Sequence, residues 1–121
     1  MLFRSLVVAD CNNHRVQVLR YSDGAHLRTI GSAGAGAGQF QCPTGIAFDA
    51  VGHIVVVDER NHRVQVLRYS NGAHVRTIGS WSYGQGNGHL RFNNPCGGIA
   101  IDSDGRIVVA DTWNHRVQVL E

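Results

Sequence analysis

Lysine is absent from this chain: all eleven basic residues are Arg. Nine acidic residues leave a formal net charge of +2, too mild to point to nucleic acid on its own. Arg suits planar, bidentate contacts, but a solvated Arg face fits the composition equally well. Cysteine is scarce and odd in number, with Cys11, Cys42 and Cys96 and no CxxC pair. That pattern argues against a disulfide framework and against a Cys-based zinc site. The expectation is free, partly buried thiols, as in a reducing compartment such as the cytoplasm. No apolar run approaches the roughly 18 residues needed to span a bilayer, so no membrane role is expected. The stretch from Met1 to Leu6 is too short and too polar for a secretory signal, and no Asn-x-Ser/Thr sequon occurs. Nothing points outside the cell.

What the chain has is a repeat. Asn-His-Arg-Val-Gln-Val-Leu occurs three times, starting at residues 13, 61 and 114, so the spacings are 48 and 53 residues. Residues 6–32 align with residues 54–80 without a gap, and 21 of those 27 positions are identical. The five extra residues of the longer spacing fall between Ser80 and Ile99. Such self-similarity marks an array of supersecondary units.

Within a unit the pattern is that of strands. Ile54-Val55-Val56-Val57 is a β-branched run suited to a strand buried on both faces. Arg63 to Tyr69 alternates at first and then turns apolar. Ser70-Asn71-Gly72 and Ser22-Asp23-Gly24 are tight-turn signals. Ala73 to Gly79 reads as a more polar strand, and Gly98-Ile99-Ala100-Ile101-Asp102 as a strand of small residues followed by the turn Asp102-Ser103-Asp104-Gly105. No segment carries a helical period. Four short strands per 48 to 53 residues describe one propeller blade.

Gly45-Ile46-Ala47-Phe48-Asp49, Ile54 to Asp58, Asn61-His62-Arg63-Val64-Gln65-Val66 and Ile78-Gly79 together resemble an NHL repeat. The resemblance covers nearly the whole chain. It implies an all-β fold of propeller blades, each of four antiparallel strands a to d from the axis outward, in a family used mostly as an interaction platform. It places residues 45–49 and 98–102 as strand a. The chain 1–121 then reads as a single segment of about 2.5 blades in the order bcd-abcd-abc: a partial blade at 6–32, a full blade at 44–80 and a partial blade at 97–120. Ten strands cannot close a ring of four to eight blades. Either the chain is part of a longer propeller, or copies assemble head to tail, and a homodimer completing a six-bladed ring is favoured.

Antiparallel pairing puts the b–c and d–a loops on one face of the disc. The b–c loops carry Asp10, Asn13, His14 and Arg15; Asp58, Asn61, His62 and Arg63; Asp111, Asn114, His115 and Arg116. These are read as structural loop latches, with Asp58 and Arg63 forming a charge-assisted pair. The three His lie on separate blades, too far apart to share a metal ion, and no cofactor is expected. The Gly-rich stretch 34–38 lacks the dinucleotide fingerprint, and a Walker loop would need Lys. The two positions between Asp and Asn vary: Cys11-Asn12, Glu59-Arg60, Thr112-Trp113. The longer d–a loop supplies Trp81, Tyr83, His89, Arg91 and Phe92. With Arg60 and Trp113 these form the candidate binding patch, since Trp, Tyr and Arg are enriched at hot spots, although Trp81 and Phe92 could instead fill the core as Phe40 is expected to. Cys42 and Cys96 flank the prolines that lead into strand a and are expected to be small buried side chains.

The leading functional expectation is a non-enzymatic protein-interaction scaffold. A second is RNA binding through Arg15, Arg60, Arg63, Arg91 and Arg116 with the loop aromatics. A third is an enzyme like the family's secreted amidating lyases, which would need an axial metal and disulfides. A fourth is an excised or engineered propeller fragment that self-assembles.

Overall fold

The computed structural model describes residues 5–79 and 91–121. Its ten strands are β1 (Ser5–Asp10), β2 (Arg15–Arg20), β3 (His26–Ile30), β4 (Pro43–Phe48), β5 (Ile54–Asp58), β6 (Arg63–Leu67), β7 (His74–Ile78), β8 (Ile99–Ile101), β9 (Ile107–Asp111) and β10 (Arg116–Leu120). They form three antiparallel sheets in the orders β1-β2-β3, β4-β5-β6-β7 and β8-β9-β10. The chain is thus all-β, with sheets of three, four and three strands, as blades of this kind require. Among the described residues no helix is long and apolar enough to cross a membrane.

The repeat extends to irregularities. The register of β2 on β3 shifts between Val18 and Leu19, and that of β6 on β7 shifts between Val66 and Leu67. The turn after β2 closes with Gly24 N–H donating to Arg20 O, and the one after β6 with Gly72 N–H donating to Arg68 O. At each a–b turn one Asp carboxylate accepts two backbone N–H groups: Asp49 from Val51 and His53, Asp102 from Asp104 and Arg106.

Period-two alternation sends successive side chains to opposite flanks of each blade. From the first sheet Val16, Val18 and Ile30 pack forward onto Ile54, Val56 and Leu67 of the second. From the second, Val55, Val57, Val64, Val66 and Ile78 pack forward onto Ile107, Val109 and Leu120 of the third. β5 is buried at all five positions because it has a neighbouring blade on each side. Phe40 and Phe92 plug the two junctions, each fully buried. A Cβ at Gly79, which has φ +80°, would lie 2.7 Å from the Phe92 ring, so the Ile-Gly step that ends each outer strand leaves room for the next loop's Phe.

Two expectations are corrected here. Cys11 and Cys42 are joined as a disulfide rather than free. The reason is tertiary: Cys11 lies on the first b–c corner and Cys42 at the entry to β4, and blade-on-blade stacking sets those two points side by side. Cys96 is not the counterpart of Cys42 and is exposed, not buried. Asn94 takes the Cys42 position, because one extra residue, Gly97, is inserted before strand a of the third blade. Cys96 instead meets Glu59, the counterpart of Cys11. Glu59, hydrogen-bonded to the thiol, pushes its pKa up, with burial adding to the effect.

Candidate functional site at the loop corners

Each b–c corner is a short 3-10 turn, Cys11–Asn13, Glu59–Asn61 or Thr112–Asn114, that ends on a His in the left-handed region, with φ 55°, 51° and 55°. The Asp before the turn and the Arg after it face each other across the base of the loop. In the second blade Asp58 is fully buried, and its Oδ2 accepts from Asn61 Nδ2 at 2.9 Å, Arg63 Nε at 2.7 Å and Gln65 Nε2 at 3.3 Å. Its Oδ1 accepts the backbone N–H of Gln41 at 2.7 Å. The other nitrogens of Arg63 donate to the carbonyls of Ala35, Gly36 and Gln39. Asn61 donates to Gly34 O, while Gln65 donates to Gln39 O and accepts from Gly38 N–H. Four side chains thereby hold the whole Gly-rich loop by its backbone. Gly suits positions 34 and 36 because a Cβ there would lie 2.3 and 2.8 Å from Oε1 of Gln39.

The third blade repeats the arrangement. Asp111 accepts from Asn114, Arg116 and Gln118 and from Asn93 N–H, and Arg116 and Gln118 both donate to Arg91 O. In the first blade Asp10 gathers Asn13, Arg15 and Gln17 in the same way. The hydrogen bond from Asn13, followed by that from Arg15, holds the Asp10 carboxyl below the usual carboxylate range. The Gln of each latch was missed in the sequence. Its signal was a polar residue recurring three times inside an otherwise apolar strand.

The His rings act between blades. His14 Nδ1 accepts the backbone N–H of Cys42 at 3.0 Å, and His62 Nδ1 accepts that of Asn94 at 2.9 Å. Cys42 and Asn94 themselves have φ of 57° and 45°. Each His therefore pins the turn that feeds the next blade's inner strand. Burial pushes the His62 pKa below the usual value, against the opposing pull of Asp111, Glu59 and Asp58. His115, with no further blade beside it among the described residues, is exposed. Among the described residues no three His, Cys, Asp or Glu side chains converge where a metal could sit.

Of the patch expected at this face, Trp81, Tyr83 and His89 lie outside the described residues. Phe92 is corrected from a candidate contact residue to a core one: it is fully buried beneath Gly79. Arg91 is exposed, and only its carbonyl belongs to the latch. Arg60 is exposed while its N–H donates to Gln41 O. Trp113 is 67% exposed although its N–H is held by Asn93 O at 3.1 Å. The corner thus displays a large aromatic on a fixed backbone. Arg60, its counterpart, is also exposed at an interior blade junction, so exposure at this position is a property of the corner.

The NHL repeat family profile matches residues 40–67 and 93–120. The first match begins at the buried Phe40 and the second one residue after Phe92, and both run through strands a and b and the latch to the end of strand c. No curated protein matches the chain. With the same latch built a third time on Asp10, Asn13, Arg15 and Gln17, the chain belongs to the NHL-repeat family.

Proposed function

We propose that this chain is a non-enzymatic interaction module that presents its b–c and d–a loop face to a protein partner. NHL repeats commonly serve as protein-interaction modules, and the observation that carries the reading here is Trp113. It stands two-thirds exposed on a corner whose backbone is tied down by the latch beneath it. An exposed aromatic on a preorganised backbone loses little entropy on contact, and such residues dominate binding energy at interfaces. Arg60 takes the same position on the preceding b–c corner, and Arg91 lies on the d–a loop whose carbonyl the third latch holds. The latch also bears on the RNA reading. Arg63 donates to Asp58 and to three carbonyls, so it is withdrawn from any set of phosphate contacts.

The test is a comparison of proteins retained from a cell extract by the immobilised chain and by a Trp113→Ala, Arg91→Ala double variant. Defined proteins retained by the first and lost from the second, with and without ribonuclease, are the expected result. Equal retention by both, or retention abolished by ribonuclease, would rule the reading out.

A further inference from the structure

We infer that Asn71 is a modification site: the Gly72 backbone nitrogen and then water convert its carboxamide to a carboxylate, which is seated in the second blade as Asp23 is in the first. The site lies on a c–d turn, apart from the Trp113 corner, and does not depend on the reading given for that corner. Asn71-Gly72 takes the place of Asp23-Gly24 in the gapless alignment of the two blades. The two turns share one geometry. Gly24 and Gly72 both have φ of 72°. Gly24 N–H donates to Arg20 O at 2.8 Å, and Gly72 N–H donates to Arg68 O at 2.7 Å. Asp23 Oδ1 accepts from Ala25 N–H and Asn71 Oδ1 from Ala73 N–H, each at 3.0 Å. The first turn shows what a carboxylate does in this frame. Asp23 Oδ2 meets Nη1 of Arg20 at 3.2 Å. The Ala25 N–H, with the charge of Arg20 adding to it, holds this carboxyl below its usual range. Arg68 stands where Arg20 stands, is exposed, and makes no ion pair among the described residues.

The turn also supplies the parts of the reaction. Asn71 is exposed, so water reaches it. Ala73 N–H already donates to Oδ1, where negative charge gathers when Cγ is attacked, and so acts as a fixed oxyanion donor. The Gly72 nitrogen forms a bond to Cγ and gives its proton to solvent. The bond from Cγ to Nδ2 breaks, and ammonia leaves. Water then opens the cyclic imide, so that asparagine and water give aspartate and ammonia with no other reactant. Gly is required after Asn71, because φ is in the left-handed region and a Cβ there would lie 3.1 Å from Ile30. The nucleophilic nitrogen is therefore never shielded by a side chain of its own. Its N–H is tied to Arg68 O, so the reaction waits on opening of the turn. Opening the imide to the α-peptide restores both turn bonds, whereas the isoaspartyl product puts an extra carbon in the backbone and breaks them. The change takes one unit from the formal net charge of +2 and places a carboxylate beside Arg68.

The test incubates the unaltered chain in mildly alkaline buffer beside a synthetic peptide of residues 69–76, followed by digestion with trypsin. Cleavage after Arg68 and Arg76 separates Asn71 from the chain's other Asn-Gly pair, Asn87-Gly88. The expected result is an amide-to-acid mass change in residues 69–76, slower in the chain than in the free peptide, with the α-aspartyl form as the main product from the chain. An Asn71→Asp variant made directly should have a denaturant midpoint no lower than that of the unaltered chain. Full conversion of the peptide while Asn71 in the chain stays intact, a mainly isoaspartyl product from the chain, or a lowered midpoint for Asn71→Asp would each overturn the inference.

Discussion

Asp58 is the residue on which most of a blade's polar chemistry converges: one buried carboxylate receives a guanidinium, two side-chain amides and a backbone N–H. Converting it to Asn replaces an acceptor by a donor that faces other donors and leaves Arg63 buried without its counter-charge. Asp58→Asn is expected to cost about 3 kcal/mol or more, the scale for breaking one side of a buried ion pair. Asp111→Asn should cost less, because Arg116 is more open to water than Arg63. Asp10→Asn should cost least, since that latch is solvated. Denaturant midpoints for the three variants give the order, and equal losses at all three positions would contradict it. The Asp, Asn and Arg of this network were legible because each recurs in every copy at one spacing. The disulfide was not, because Cys11 and Cys42 occur in one copy only and are brought together by blade stacking, which local pattern does not encode. Phe92 was left open between the binding patch and the core for a related reason: aromatics next to a glycine-rich loop look alike in sequence whether they plug a junction or face a partner.

At the scale of elements, strands were the most legible feature, since β-branched runs and Asx-Gly turns mark their bounds to within a residue or two. What the pattern concealed was how one blade holds the next. His62 ends the second corner in a left-handed conformation and accepts from Asn94, at the entry to the third blade. That role needs the neutral ring with Nδ1 unprotonated. Burial keeps the His62 pKa below the usual histidine value of about 6.5. In the unfolded chain the ring protonates as pH falls through its ordinary value, while in the folded chain it resists. The unfolded state then binds more protons, so stability drops as pH falls below about 6.5, and the loss is complete only below the folded pKa. The lowered carboxyls of Asp10, Asp23 and Asp102 act in a separate, more acidic window. His62→Asn keeps a residue that tolerates the left-handed turn and removes the titration. Its unfolding free energy should vary less than that of the unaltered chain between pH 7 and pH 5. Parallel pH profiles for the two proteins would show that this junction does not titrate.

For the molecule as a whole, the three blades are interchangeable modules with two open ends among the described residues. Val117 and Val119 on the third blade are 64% and 51% exposed, while their counterparts Val64 and Val66 in the second are 0% and 3% exposed. At the other end Leu6 and Val8 stand in for Ile54 and Val56. The forward flank of the last blade thus matches the surface that packs onto Ile107 and Val109, and the rear flank of the first matches the surface it packs against. In arrays of this kind stability resides largely in neighbour interfaces, and a contact between unlike flanks propagates until rotation closes it. The proposed outcome is head-to-tail association, with two chains completing a ring of six blades, some lacking a strand. Sedimentation should then give a mass that rises with concentration from one chain towards two. Val117→Asp with Val119→Asp should hold the chain at monomer mass while leaving the two internal junctions intact, since neither residue takes part in them. A single-chain mass for the unaltered protein at every concentration would show that near-identity of flanks is not enough, and that the missing inner and outer strands are needed before one blade can receive another.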